Sequence, residues 1–359
     1  LAGLLSKQNV RSFRNLTTSF IEREIAEQPD TLRRLITKGA ETASQIASAI
    51  RDFDPTFVLI AARGTSDNAG RYAQYLMGIR AGLPVALAAP SIHTLYEATP
   101  RLSRALVIGI SQSGQAEDVR RVLSDARAQG ALTVSITNHA DSSMAQTAAY
   151  HMPLLAGEEI SVAATKTYTA QLTALALLTA ALTGQEDGLA DLPAHAAETL
   201  RLCEPIATWA AHYQALDRFI AIGRGYNYCT AFEISLKIKE LCTVVGMEYS
   251  EADFRHGPMT LLRDGLPLIM VAPSGKTLPG MITLLEQAAE RRTERFVISD
   301  DPAALALAER ALPLPTGVPE WLTPIIAVIP GQIFAMHLAL AKGNPVDKPR
   351  GLSKVTITL

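Results

Sequence analysis

Leu106-Val107-Ile108-Gly109-Ile110 runs directly into Ser111-Gln112-Ser113-Gly114, and a helical pattern, AEDVRRVLSDARAQG, follows from Ala116. A short, wholly apolar, β-branched run reads as a strand covered on both faces. Its hand-over to Ser and Gly and then to a helix reads as one step of a strand–helix alternation. The step recurs downstream. Leu268–Ala272 (LIMVA) leads to Pro273-Ser274-Gly275, so the two Ser-Gly pairs lie 161 residues apart. Further out, Phe57–Ala62 (FVLIAA) leads to Arg63-Gly64-Thr65, and Phe219–Gly223 (FIAIG) leads to Arg224-Gly225-Tyr226, again 161 residues on. Thr133–Asn138 (TVSITN) answers to Arg295–Asp300 (RFVISD). Gln171 opens QLTALALL and Gln332 opens QIFAMHLAL, at the same offset of 161. A register held over four elements predicts a duplicated domain.

The alternation predicts an α/β protein of two tandem, doubly wound parallel sheets. We divide the chain into an N-terminal arm (residues 1–28), a first subdomain (29–190), a second (191–341) and a C-terminal tail (342–359). Helical stretches are expected over about Pro29–Arg51 and about Ala194–Ala215. Trp321–Ala341 contains no charged residue, but Pro324, Pro330, Gly331 and Gln332 interrupt it. A buried strand, turn and helix are expected there rather than a membrane span. The tail ends in VTITL, a candidate strand. Ligands in doubly wound folds bind beyond the carboxyl ends of the strands, which is where the Ser/Gly turns fall.

Composition narrows the function. The 359 residues suggest about two globular units, and 48% are hydrophobic. With 33 basic and 35 acidic residues, the net charge of −2 offers no electrostatic reason to bind nucleic acid or an anionic membrane. Cys203, Cys229 and Cys242 form no CxxC, so neither disulfides nor zinc are indicated and a reducing, cytoplasmic compartment is expected. The N-terminal LAGLLSKQNVRSFRNLTTSF has no long apolar core and does not read as a signal peptide. No GxGxxG follows the first strand, which argues against a dinucleotide site.

At Ser111-Gln112-Ser113-Gly114 two hydroxyls, backbone N–H groups and a helix N-terminus converge, the makings of a phosphate site. Thr65 and Ser66 end the preceding strand in the same way. Each serine could equally serve as an N-cap for its own helix. Two such turns at successive strand ends favour a site. The second copy, with Pro273-Ser274-Gly275, lacks the paired hydroxyls. A third segment, from Gly157 to Thr167, is rich in small and hydroxylic residues and is a candidate loop over the substrate.

Three motifs in order, Arg-Gly-Thr-Ser (63–66), Ser-Gln-Ser-Gly (111–114) and Glu-Ile-Ser-Val-Ala-Ala-Thr-Lys (159–166), resemble those of sugar isomerase (SIS) domains. GRGYNYCTAFEISLKIKELC, EYSEADFRHGPMTLL and the tail NPVDKPRGLSKVTITL resemble the isomerase half of glucosamine-6-phosphate synthase. The resemblance implies a sugar-phosphate substrate, two SIS subdomains, a homodimer and no cofactor or metal. It implies phosphate binding by Ser66, Ser111, Gln112 and Ser113, to which the turn after the first strand adds Thr65, with Val162 lining the same pocket. It implies that Glu240 moves a proton between C1 and C2, Lys237 stabilises the enolic intermediate, His256 opens the sugar ring, and Lys354 contacts or forms an imine with the open-chain sugar, so that the tail completes the active site. Glu159 and Glu233 would line the site.

The chemistry is coherent without the resemblance. Lys237 and Glu240 are at i, i+3 on one helix face. A desolvated Glu can carry a proton between adjacent carbons, a His can open a ring near neutral pH, and a Lys can stabilise an oxyanion or form a Schiff base. Taken alone, Lys237 and Glu240 would be an ordinary helical ion pair. Arg63 and Ala116 depart from the synthase pattern, which has Cys and a phosphate-holding Thr there. The chain begins LAGLL, so glutamine-dependent synthesis is not expected. The expected activity is conversion of glucosamine 6-phosphate to fructose 6-phosphate and ammonia. The alternatives are isomerisation or deamination of another amino or glycated sugar phosphate, and a non-catalytic phosphosugar sensor.

Overall fold

A computed structural model describes residues 18–354. After α1 (Phe20–Ala26) and α2 (Gln28–Phe53), the first half runs β1 (Phe57–Ala61), α3 (Thr65–Arg80), β2 (Val85–Leu87), α4 (Ser91–Thr94), β3 (Ala105–Ile110), α5 (Glu117–Ala128), β4 (Leu132–Thr137), α6 (Ser143–Thr147), β5 (Tyr150–Pro153) and α7 (Lys166–Thr183). After α8 (Leu192–Leu202) and α9 (Ile206–Trp209), the second half repeats that order. It runs β6 (Arg218–Gly223), α10 (Tyr228–Cys242), β7 (Val245–Ser250), α11 (Glu251–Arg255), β8 (Pro267–Val271), α12 (Leu278–Glu290), β9 (Glu294–Ser299), α13 (Pro302–Ala306), β10 (Arg310–Pro313) and α14 (Thr323–Ala341).

Each half builds a five-stranded, all-parallel sheet. The orders are β2-β1-β3-β4-β5 and, in mirror listing, β7-β6-β8-β9-β10. The predicted α/β tandem is thus the architecture observed. In this order the winding reverses between β1 and β3, which pair with Val58 opposite Leu106. That switch point is where such sheets leave a crevice. Every residue of β3 is buried, as an apolar strand with helices on both faces must be.

The repeat-related helices α7 and α14 fill the centre of the molecule. Lys166 through Ala180 of α7 are all buried. Its threonines tolerate this by donating to carbonyls one turn back, Thr173 to Thr169 and Thr179 to Leu175, each at 2.8 Å. Trp321–Ala341 differs from the expectation of strand, turn and helix. A short 3₁₀ turn at Glu320–Leu322 leads into one continuous helix, α14, with Pro330 inside it. Pro324 falls in the first turn, where its missing N–H costs nothing. The lost bond at Pro330 is outweighed by burial of nearly the whole helix. Glu320–Ala341 is long and apolar enough to span a membrane by length and composition, but 78% of its apolar 18-residue window is buried within the protein.

Two further stretches bear on the site. The expected helix over Ala194–Ala215 is broken into α8, α9 and a 3₁₀ turn (Ala210–Tyr213), because Pro205 ends the run. α2 starts one residue before Pro29, which sits in its first turn. Ahead of it, α1 is capped by Ser19 and buries Ile21, Glu24 and Ile25. The candidate strand VTITL lies outside the described residues.

Candidate active site

The turns after β1 and β3 face each other across the switch point. Ser111 Oγ accepts the Gly114 N–H at 3.1 Å and Ser113 Oγ accepts the Gln115 N–H at 3.3 Å. Gly114 has φ +67, and a Cβ on it would lie 2.2 Å from Ser142 Oγ. Only glycine fits that position. On the facing turn, Ser66 Oγ accepts from Gln171 Nε2 at 3.0 Å. Between the turns is a cavity of about 320 Å³ lined by Thr65, Ser66, Ser111, Gln112, Ser113 and Val162, together with Arg63, Ala116 and Lys354. Six of the residues expected at the phosphate, and one expected at the sugar, thus share one cavity.

The second half supplies a charged cluster through α10, which packs on α3. Lys237 is fully buried, with Nζ 2.6 Å from Glu240 Oε2 and 3.4 Å from Glu233 Oε1. It also donates to Thr65 Oγ1 at 3.2 Å. Thr65 donates in turn to Glu233 Oε1 at 3.0 Å, and Asn68 Nδ2 donates to Glu233 Oε2 at 2.8 Å. Thr65 therefore joins the cavity to the Lys–Glu cluster. Burial pushes the Glu233 carboxyl up to about 7, against the pull of Lys237. Burial alone would lower Lys237, but Glu240 and Glu233 outweigh it and hold its ammonium above the ordinary lysine range. One ammonium between two carboxylates leaves a negative charge over, and burial makes Glu233 hold a proton more readily than a free carboxyl does.

Lys354 reaches the cavity from the tail. Its Nζ donates to Glu159 Oε2 at 2.8 Å and to the Ser161 carbonyl at 2.6 Å. Glu159 is fully buried at the start of α7 and accepts from Thr165 N, Thr167 N and Thr167 Oγ1. Burial favours its neutral form, yet Lys354 and these hydrogen bonds hold it below the ordinary carboxylate range. Glu159 thus anchors Lys354 and the start of α7 rather than forming cavity wall. The loop ahead of it is pinned as well. Val162 N donates to the Asp347 carbonyl at 2.9 Å, and Glu24 of α1 accepts from Ile160 N, Ser161 N and Ser161 Oγ.

His256 is not among the residues that line the cavity. It is exposed at the C-terminal end of α11, with Nδ1 2.8 Å from the Ala252 carbonyl. Sequence reasoning gave no role to Asn68, Gln171 or Glu24. Gln171 had entered only as a marker of the repeat, and Asn68 lies one turn after Thr65. Either spacing was a usable signal. Nothing local in the sequence points Glu24 at a loop more than a hundred residues away.

Tandem doubly wound sheets with a hydroxyl-lined cavity at the first switch point, joined to a buried Lys–Glu cluster, define a class of α/β protein with a polar site suited to a small anionic ligand. The SIS domain family model matches residues 55–181 and 213–342. The chain belongs to the SIS domain family, and it is an enzyme of that family. It is 35% identical, over 93% of its length, to glutamine--fructose-6-phosphate aminotransferase [isomerizing] of Pyrococcus horikoshii. It spans 57% of that relative, a little over half the length of the curated relatives it matches. A crystal structure of a provisionally assigned phosphosugar isomerase from Silicibacter pomeroyi is 31% identical with a TM-score of 0.80, covering 92% of this chain and 99% of that one. The C-terminal domain of glucosamine-fructose-6-phosphate aminotransferase from Francisella tularensis is 26% identical with a TM-score of 0.84, covering 93% of this chain and 98% of that one.

Proposed function

We propose that the protein is an isomerising deaminase that converts glucosamine 6-phosphate and water to fructose 6-phosphate and ammonia. The observation that carries this reading is the Lys237–Glu240 pair, 2.6 Å apart and tied through Thr65 to the anion cavity. A phosphate in the cavity would meet the hydroxyls of Thr65, Ser66, Ser111 and Ser113 and the N-termini of α3 and α5. The sugar would then extend towards α10.

His256 protonates the ring oxygen while the C1 hydroxyl loses its proton, giving the open-chain aldehyde. Glu240 removes the proton from C2 and returns it to C1, the Lys237 ammonium stabilises the charge on the C1 oxygen, and that oxygen becomes a hydroxyl with a proton given up by the C2 amine. The product is a ketimine at C2. Water adds there and ammonia leaves, giving fructose 6-phosphate. Lys354 is paired with a carboxylate, which suits a positioned cation better than an imine-forming amine. In this reading a second copy of the chain supplies His256, which is supported by the exposure of its side chain and its absence from the cavity lining. The three cysteines are free and buried, which suits a reducing, cytoplasmic setting.

The test is turnover of glucosamine 6-phosphate deuterated at C2. Transfer of deuterium to C1 of fructose 6-phosphate, with a primary isotope effect, is expected. Formation of no fructose 6-phosphate overturns the reading.

A further inference from the structure

We propose that Arg63, held in place by Asp118, is a phosphate ligand that makes the cavity selective for a dianionic phosphate ester. The inference rests on the phosphorylated substrate of the proposed function and adds a residue to its recognition. Arg63 leaves β1 and lines the cavity beside Thr65, Ser66, Ser111 and Ser113. Its Nε donates to Asp118 Oδ2 at 2.7 Å. Asp118 lies in the first turn of α5, with a side chain at 0% exposure against 51% for Arg63. The other oxygen, Oδ1, accepts the Val119 N–H at 2.9 Å.

An ion pair between two exposed side chains would fix little. Here the carboxylate is immobile and buried, so it orients the guanidinium and couples the turn after β1 to the helix after β3. The bond to Asp118 uses Nε, and a guanidinium carries four further N–H donors in a fork that matches phosphate geometry.

The rest of the wall makes this charge count. Hydroxyls and helix N-termini contribute partial charges only, and Ala116 contributes a methyl. Lys354 is the one other cation among the lining residues, and it is already engaged by Glu159 and the Ser161 carbonyl. A phosphate monoester carries close to two negative charges near neutral pH. Arg63 is the group placed to answer the second.

The experiment is calorimetric titration of the full chain with inorganic phosphate and with glucosamine 6-phosphate, for wild type, Arg63→Ala and Arg63→Lys. Tenfold or greater weakening of both ligands is expected in Arg63→Ala. Arg63→Lys should recover part of it, since a lysine is a point charge and cannot serve Asp118 and phosphate together. Wild-type affinity should rise through the second ionisation of phosphate, and that rise should flatten in Arg63→Ala. In turnover the variant should raise KM and leave kcat nearly unchanged. If Arg63→Ala fails to fold, Arg63→Lys alone decides, and an affinity equal to wild type overturns the inference. Unchanged phosphate affinity in a folded Arg63→Ala overturns it while leaving the proposed function standing. A wild type that binds neither ligand overturns both.

Discussion

Lys237 Nζ lies 3.2 Å from Thr65 Oγ1, so a buried cation of the second half touches a hydroxyl at the anion cavity of the first. The duplication thus divides the labour. The first copy keeps the paired hydroxyls of Ser111 and Ser113, and the second supplies the ionisable cluster on α10. The contact between α3 and α10, which are counterparts in the repeat, puts the two contributions in one place.

If Ser111 and Ser113 hold a phosphate, Ser113→Ala should raise KM for the sugar phosphate with little change in kcat. A hydrogen bond to a charged group contributes about 1.5–3 kcal/mol, so the rise should be about 10- to 100-fold. Steady-state kinetics against the phosphorylated substrate checks this.

Gly114→Ala should be worse than loss of a hydroxyl. The new Cβ would meet Ser142 Oγ at 2.2 Å, at φ +67. The turn must open, at a cost of about 1–3 kcal/mol for the backbone conformation alone. Thermal unfolding should show a lowered Tm, and inorganic phosphate should no longer raise it.

Glu159 is held below the ordinary carboxylate value, so its contribution to stability is present at neutral pH and lost as pH falls. Glu159→Gln should therefore be less stable than wild type above about pH 4.5, by about 1–3 kcal/mol. The gap should close under more acidic conditions. Urea midpoints measured from pH 7 downward give the comparison.

Glu233 has the opposite sign. Its pKa rises from 4.5 to about 7 in the fold, so the folded state holds a proton that the unfolded state releases. Stability from this group is full below pH 4.5 and falls as pH rises towards 7. Glu233→Gln should lack that loss. Wild type and variant should diverge across this window in denaturant unfolding, the variant gaining relative to wild type as pH rises.

Much of this was legible in the residues. The offset between the Ser-Gly pairs foretold that β3 and β8, and the helices after them, would occupy equivalent places. The hydroxyls at 65–66 and 111–113 do converge on one cavity, because a doubly wound sheet brings adjacent strand ends together. Local patterning failed where tertiary burial decided. Pro330 reads as a helix breaker, yet packing at the centre of the molecule keeps α14 continuous. Pro205 was passed over inside an apparent helix that it ends. Long-range partners such as Glu24 with Ser161 and Asp118 with Arg63 have no signature in spacing. His256 is exposed and is not among the residues that line the cavity, a placement that no local motif could reveal.

The proposed shared site predicts complementation. If a second copy supplies His256, Glu240→Gln and His256→Ala should each be inactive. Refolding them together should restore activity to about one quarter of wild type, from heterodimers with one intact site. Activity of a demonstrated monomer would exclude a shared site.

The most direct measurement is an end-point assay of the purified protein with glucosamine 6-phosphate, quantifying ammonia and fructose 6-phosphate together beside a Glu240→Gln control. The account predicts equal amounts of the two products. Turnover should fall by a factor on the order of 10² or more in Glu240→Gln, with sugar-phosphate binding retained. Neither product from wild type, or equal turnover in the variant, would contradict it.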